Sequence, residues 1–274
     1  MILIVASNKD IASLNIKEQI LKHYPFSEIA REFHENTAFA ANINGKKVTL
    51  ITLNEESVRA QSLPQKFPQA KLIVFISRHS SQSGKPTLSV HTPGNFGNAE
   101  LGGLPRVISV SPALAMKNVL KELIHFKEQL NIDYDVSFEC THHGPSLNVP
   151  TMFVELGSSE MQWSDPKAAE AVAHSAISTI ANFEASMTPV AIGIGGTHYN
   201  HKFTLMSLVG ETVFGHIIPK YSISNIDVEM LYQCVEKTLE KVSLAVLDWK
   251  GIKSVDKLNL LLALETVGLP YKKV

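Results

Sequence analysis

The chain is short of cysteine, of net charge and of long apolar runs, and each shortage narrows what it can be. Two cysteines in 274 residues, Cys140 and Cys234, are too few and too far apart for a disulfide framework or a cysteine-rich zinc site, which implies a reducing cytosol. A formal charge of −1 and 7% aromatics do not supply the broad basic surface with exposed rings of a dedicated nucleic-acid module. A local basic patch would still suffice to hold phosphates. The opening run Met1-Ile2-Leu3-Ile4-Val5-Ala6 is too short for a signal peptide or a membrane span and reads as a strand. No other run reaches membrane length, so no membrane partner and a cytoplasmic setting are expected. Motifs are missing too: there is no Gly-x-Ser-x-Gly nucleophile elbow and no phosphate-binding Gly-x-x-x-x-Gly-Lys loop. Gly193-Ile194-Gly195-Gly196 lacks dinucleotide-binding spacing.

What is present is a globular alternation. Hydrophobic residues make up 45% and charged residues 19%, ordinary values for a folded chain. Apolar, β-branched runs predict strands at 2–6, 48–53, 72–77, 107–110, 135–139, 152–156, 190–194, 214–218 and 244–248, most without strict alternation, as for strands covered on both faces. Helical spacing predicts a helix from Ser111-Pro112 to about Leu130 and another from Asp165-Pro166 to near Phe183. Two more are expected at 226–241 and 254–267. The expected fold class is α/β, a mostly parallel or mixed sheet with helices on both faces. It forms one catalytic domain over 1–274, with two tightly packed subdomains as the variant. Residues 78–105 read as a long functional loop.

In open α/β sheets, ligands sit outside the carboxyl ends of strands. Four polar segments, 77–80, 139–145, 155–160 and 193–199, directly follow predicted strands and could line one crevice. Their imidazoles and carboxylates suit a metal. Spacing nominates His142 with Glu139 three residues earlier, and a His198-x-x-His201 pair, as ligands or their supports. The double glycine Gly195-Gly196 permits close backbone approach. His23, His34, His125 and His174 sit in ordinary contexts and read as bland, while His216 reads as a core histidine. Cys140 as a thiol nucleophile is a lesser alternative.

These segments give the chain a resemblance. It resembles the archaeal and plant type of D-aminoacyl-tRNA deacylase through five blocks in the family's order. They are Ser77-Arg78-His79-Ser80-Ser81, Val90-His91-Thr92-Pro93-Gly94-Asn95, Glu139-Cys140-Thr141-His142-His143-Gly144-Pro145, Val154-Glu155-Leu156-Gly157-Ser158 with Trp163, and Gly195-Gly196-Thr197-His198-Tyr199. The resemblance implies a hydrolase carrying two zinc ions that cleaves the ester between a D-amino acid and the terminal ribose of tRNA. It also implies a phosphorylase/hydrolase-like α/β fold, part of it similar to peptidyl-tRNA hydrolase. At His201 the family often has proline, which ranks that residue behind His91, His142, His143 and His198.

His91, His142, His198 and His201 are candidate metal ligands, and Glu139, Glu155 and His143 are candidate catalytic groups. Arg78, Ser80, Lys85, Thr197, Tyr199 and Lys202 are candidates for holding the acceptor end of D-aminoacyl-tRNA, with Arg106 a further basic group. Metal-activated water attacks the ester, with backbone N–H groups near Gly195-Gly196 or the metal itself steadying the oxyanion. Alternatives are assistance by the ribose 2′-hydroxyl without metal chemistry, a zinc-dependent peptidase or amidase on small substrates, and a non-catalytic RNA-binding module. DNA is not expected as a partner. The sequence is silent on oligomeric state, with a monomer the default.

Overall fold

The computed structural model describes residues 1–184, 186–210 and 212–274. Its first sheet has eight strands: β1 (Ile2–Ser7), β2 (Ser27–Phe33), β3 (Asn36–Ile43), β4 (Lys46–Leu53), β5 (Leu72–Ser80), β6 (Thr87–His91), β7 (Asp135–Phe138) and β8 (Thr151–Ser158). A second sheet holds β9 (Val190–Ile194), β10 (Phe214–Ile218), β11 (Val242–Leu247) and β12 (Tyr271–Lys273). The helices are α1 (Ile11–His23), α2 (Leu63–Lys66), α3 (Ala113–Gln129), α4 (Glu160–Trp163), α5 (Pro166–Ala181), α6 (His201–Val209), α7 (Val228–Glu236) and α8 (Ser254–Val267). None of the helices among the described residues is long and apolar enough to cross a membrane.

Strand order in the first sheet is β2-β3-β4-β1-β5-β8-β6-β7. Strands β4, β1, β5 and β8 run parallel, whereas β6 is antiparallel to β8 and the β2–β3–β4 edge is antiparallel. The sheet is therefore mixed, the second of the two forms expected, with a parallel centre. Every residue of β1 and of β8 is buried, because apolar side chains pack on both faces. Ile4, Val74 and Val154 belong to one cluster with Ile16 and Ile20 of α1 and Val172 of α5. Leu3, Phe75 and Phe153 pack on the opposite face with Leu63 and Phe67. The four-stranded sheet has its own cluster around Ile192, Ile218 and Leu247.

Helix starts follow local chemistry where the cap is local. The Asp165 side chain accepts from the amides of Lys167 and Ala168 (2.9 and 3.3 Å) with Pro166 at the first helical position, so α5 begins where expected. The start of α3 is capped from afar: the buried Glu240 carboxylate accepts from the Ala113 and Leu114 amides, both at 3.0 Å.

Three expectations need correction. Residues 107–110 form no strand; Ile108 and Val110 make only isolated bridges, to Gly94 and Pro150. The helix expected over 226–241 is confined to Val228–Glu236, because the Ser111 backbone pairs with Lys237 and Leu239 and pulls the chain out of helix (2.7 and 2.8 Å). The supposed loop 78–105 holds the last three residues of β5 and all of β6, so it is interrupted by sheet and is loop elsewhere.

The two sheets meet along one seam. Cys140 N donates to His198 O, Thr141 N to Ile217 O and Asn200 N to Phe138 O, each at 2.9 Å. Thr141 Oγ1 also lies 3.1 Å from His216 Nδ1, whose Nε2–H donates to the Lys237 carbonyl at 2.9 Å. His216 is thus a satisfied core histidine on β10 that braces the loop carrying His142.

Burial pushes the His216 pKa down to about 4, although the Lys237 carbonyl works in the other direction. The unfolded chain takes up a proton near the usual pKa of about 6.5, while the folded chain refuses it until the lower value. Stability from this residue is therefore full above the unfolded pKa and is lost as pH falls through the folded one. The difference amounts to roughly 3 kcal/mol. Urea unfolding of wild type and His216→Asn across this range should show the variant's stability falling less steeply with acid. Parallel pH slopes would contradict the assignment.

Candidate active site

The seam brings the polar segments together at the carboxyl ends of β5 and β8. Ser77 pairs in register with Glu155 across those strands, and antiparallel β6 sets Ser89 opposite Glu155 and His91 opposite Phe153. Glu139 follows β7 directly and bridges to Tyr199 in the loop after β9. That loop turns on Gly195 (φ +111°) and Gly196 (φ +82°), a backbone in which a Cβ on Gly196 would stand 2.5 Å from Asn200 Nδ2. The glycine pair is thus required, as expected.

The result is a cluster of five histidines around two buried carboxylates. Glu139 receives His198 Nε2 at 2.8 Å and His79 Nδ1 at 3.0 Å and is bonded by Ser89 Oγ, while His142 Nε2 stands off at 3.6 Å. Glu155 accepts from Ser77 Oγ at 2.6 Å and lies 3.4 Å from His79 Nδ1. His198 Nδ1 is 3.4 Å from Cys140 Sγ and 3.3 Å from the Tyr221 hydroxyl, which makes the buried Cys140 a partner of the imidazole.

His142 and His143 are anchored from behind. Nδ1 of His142 lies 2.8 Å from the Cys140 carbonyl, and Nδ1 of His143 lies 2.6 Å from the Gly144 carbonyl. A carbonyl only accepts, so each Nδ1 carries the proton and each Nε2 turns a lone pair into the site. His143 Nε2 is 3.3 Å from His91 Nε2. The other nitrogen of His91, Nδ1, is buried without a hydrogen-bond partner and sits 4.0 Å from Glu155.

Charge is divided accordingly. Burial opposes ionisation of Glu139, but its bonds from His198 and His79 outweigh that cost and hold it well below the usual carboxylate range. Burial also opposes a charged His79, yet Glu139 and Glu155 push its pKa up to about 10. His198 likewise rises to about 10 against burial, through Cys140 and Glu139. Burial, reinforced by neighbouring imidazoles, keeps His91 and His142 neutral, and burial lowers His143 to about 4. Burial and the Glu139 charge raise Glu155 to about 7.

These residues fit a transition metal. Neutral imidazoles with inward lone pairs, backbone carbonyls fixing their tautomers, and an orphaned buried nitrogen on His91 are what a ligand set requires. Donor atoms lie within 4.8 Å of one another in overlapping groups: His91, His142 and His143; His79, Glu139 and His198; Cys140, His142 and His198; and His91, Glu139 and Glu155.

A cavity of about 450 Å³ opens beside the cluster, lined among others by Lys9, Arg78, Ser80, Leu101 and His143. Of the candidate substrate contacts, Arg78 and Ser80 line it. Arg78 is steadied by the Lys9 carbonyl at 2.8 Å, by Glu56 Oε1 at 3.4 Å and by the Trp163 ring. Tyr199 packs its ring on His79 (5.1 Å between centroids). The rest are not brought there. Lys85 pairs with Asp135, Lys202 with Asp248, Arg106 with Asp227, and Thr197 Oγ1 bonds to Tyr199 O within its own loop. His201 is the exposed first residue of α6 and belongs to none of the metal-capable groups among the described residues. The Gly195 amide donates to the Ile218 carbonyl at 2.8 Å, so it is not free to serve an oxyanion. His79 is the principal site residue absent from the assignment. Continuing β5 by its period of two places it on the same face as Ser77, a signal available had the strand not been ended at residue 77.

A family model described as D-aminoacyl-tRNA deacylase matches residues 66–272. The chain belongs to that family. Among its relatives is a D-aminoacyl-tRNA deacylase of Thermococcus onnurineus, 34% identical with 99% of each chain covered. Another, of Methanosarcina barkeri, is 37% identical over 99% of this chain and 89% of that protein. A crystal structure of a conserved protein of unknown function superposes with a TM-score of 0.88 at 30% identity, covering 100% of this chain and 95% of the other. That protein therefore shares this fold essentially end to end.

Proposed function

We propose that this chain hydrolyses the ester joining a D-amino acid to the terminal ribose of tRNA, at a zinc centre built from the histidine cluster. Family membership supports the substrate class, and a tRNA substrate makes the cytoplasm the setting. The observation that carries the metal reading is the set of imidazoles around Glu139: two pinned at Nδ1 by backbone carbonyls, and a third with its own Nδ1 orphaned.

His91, His142 and His143 would hold one ion, and His79, Glu139 and His198 would be donors for a second once His79 and His198 release the protons they hold against Glu139. When bound, zinc lowers the pKa of water towards neutrality and polarises an ester carbonyl. The chain supplies the rest. Glu139 stays ionised and gathers the surrounding imidazoles. Glu155, raised to about 7, takes up a proton from the attacking water and returns it to the departing ribose oxygen, as its pKa lies near working pH. Ser77 fixes the Glu155 rotamer through Oε1. Arg78 and Ser80 face the cavity where the acceptor end would lie, and Arg78 would exchange its long contact with Glu56 (3.4 Å) for a phosphate oxygen.

Replacing His142 with Ala should reduce D-aminoacyl-tRNA turnover to background while leaving the melting temperature within a few degrees. Near-normal deacylation by that variant would sink the assignment.

A further inference from the structure

A second group of metal donors lies away from the site. His23 closes α1, and Glu170 and His174 stand one turn apart on α5. Helix α1 begins just beyond the carboxyl end of β1, and its 13 residues carry His23 about 20 Å further along at ~1.5 Å per residue. The group is thus at the far edge of the sheet from the catalytic cluster.

Its geometry is that of an imidazole pair converging on one carboxylate oxygen. Glu170 Oε1 is 3.7 Å from His23 Nε2 and 3.5 Å from His174 Nε2, long for hydrogen bonds. Two ligands at about 2.0–2.1 Å from a tetrahedral ion stand roughly 3.3 Å apart, so the two edges to Glu170 need shorten by only a few tenths of an ångström. All three donor atoms lie within 4.8 Å of one another. Behind them, the Tyr24 hydroxyl is 2.6 Å from His174 Nδ1, which leaves Nε2 as the nitrogen aimed at Glu170. Phe126 stacks on the same ring at 4.9 Å and fixes its plane. This orients the inner ligand from outside, as supporting groups do in metal centres. The side chains of His23, Glu170 and His174 are 28%, 22% and 19% exposed, so an ion can reach them from solvent and keep a water in the remaining position.

We propose that His23, Glu170 and His174 form a separate site for a divalent transition-metal ion that takes nitrogen and carboxylate ligands, such as zinc. The ion clips the last turn of α1 to the middle of α5. The other end of α1 is already tied to the α5 start, through Asn15 Nδ2 to the Trp163 and Asp165 carbonyls (3.0 and 3.2 Å). A metal clip completes the second tie.

The test is calorimetric titration of the metal-stripped full-length protein with zinc chloride alone, on wild type, His23→Ala, Glu170→Gln and His142→Ala, each also melted with and without zinc. His23→Ala and Glu170→Gln should each take up one zinc equivalent fewer than wild type and show a smaller zinc-induced rise in melting temperature, with deacylation within twofold of wild type. His142→Ala should lose deacylation yet retain that equivalent. Equal zinc uptake and equal thermal response in wild type and His23→Ala would overturn the proposal, whatever the deacylation result.

Discussion

Replacing Glu139 with Gln should lower single-turnover deacylation by about a hundredfold or more, the loss expected when groups at a reacting centre are displaced by ~1 Å. The substitution keeps shape and removes charge. Glu139 is 1% exposed and, among the described residues, is the carboxylate that receives both His79 and His198, at 3.0 and 2.8 Å. Without its charge, two imidazoles whose pKa values it helps push up to about 10 lose the partner that lets them carry protons in a buried place. Breaking one side of a buried charge set costs about 3–5 kcal/mol. The metal-free variant should therefore also unfold at markedly lower urea. Glu155→Gln offers the contrast. Burial and the Glu139 charge already disfavour ionised Glu155, so it should lose activity with little loss of stability. Turnover by Glu139→Gln within threefold of wild type would contradict its central place.

The second large effect is expected at a residue with no side chain. Gly144 follows His143, and its own amide donates to the Leu101 carbonyl at 2.9 Å. A Cβ added there would stand 2.2 Å from Gly103 N and 2.5 Å from Val58 O. Both are backbone atoms, so neither can rotate away. Gly103 is itself held in a tight turn whose neighbours are pinned by Asn95 Nδ2, bonded to the Gly102 and Leu104 carbonyls at 2.9 and 3.2 Å. Gly144→Ala must move the segment that fixes His142 and His143. Overpacking of this kind costs about 1–3 kcal/mol or more, and a displacement of ~1 Å at reacting groups can cost about a hundredfold in rate. Gly84→Ala is the control: nothing lies within 4 Å of its added Cβ, although its φ is +63°. It should cost about 1 kcal/mol and leave kcat/KM unchanged. Equal melting temperature and kcat/KM for Gly144→Ala and wild type would refute the interlock.

Much of this site is legible in the sequence because strand ends are. A run such as 190–194 declares itself by β-branched residues, and His198 follows at its carboxyl end. What escapes is whatever depends on remote partners. Thr87–His91 is polar enough to pass for loop, yet it is fully buried because β8 and β7 flank it on both sides. His79 is hidden by the same misjudged boundary. The hairpin of β2 and β3 alternates weakly between faces, since an edge pair buries only some of its residues. Lys85 and Lys202 look available for phosphates until Asp135 and Asp248 are brought beside them. No local pattern announces pairs so far apart in the chain. His23 and His174 read as bland for a related reason: each is ordinary alone, and only the packing of α1 on α5 sets them around Glu170.

The most direct measurement of the proposed activity is deacylation of matched D- and L-aminoacyl-tRNA by the full chain, before and after exhaustive chelation and again after zinc is restored. Zinc-dependent hydrolysis of the D-ester, lost on chelation, recovered with zinc and at least a hundredfold faster than that of the L-ester, is the expected result. Undiminished D-ester hydrolysis after chelation would contradict the metal centre, and equal rates on the two esters would contradict the substrate.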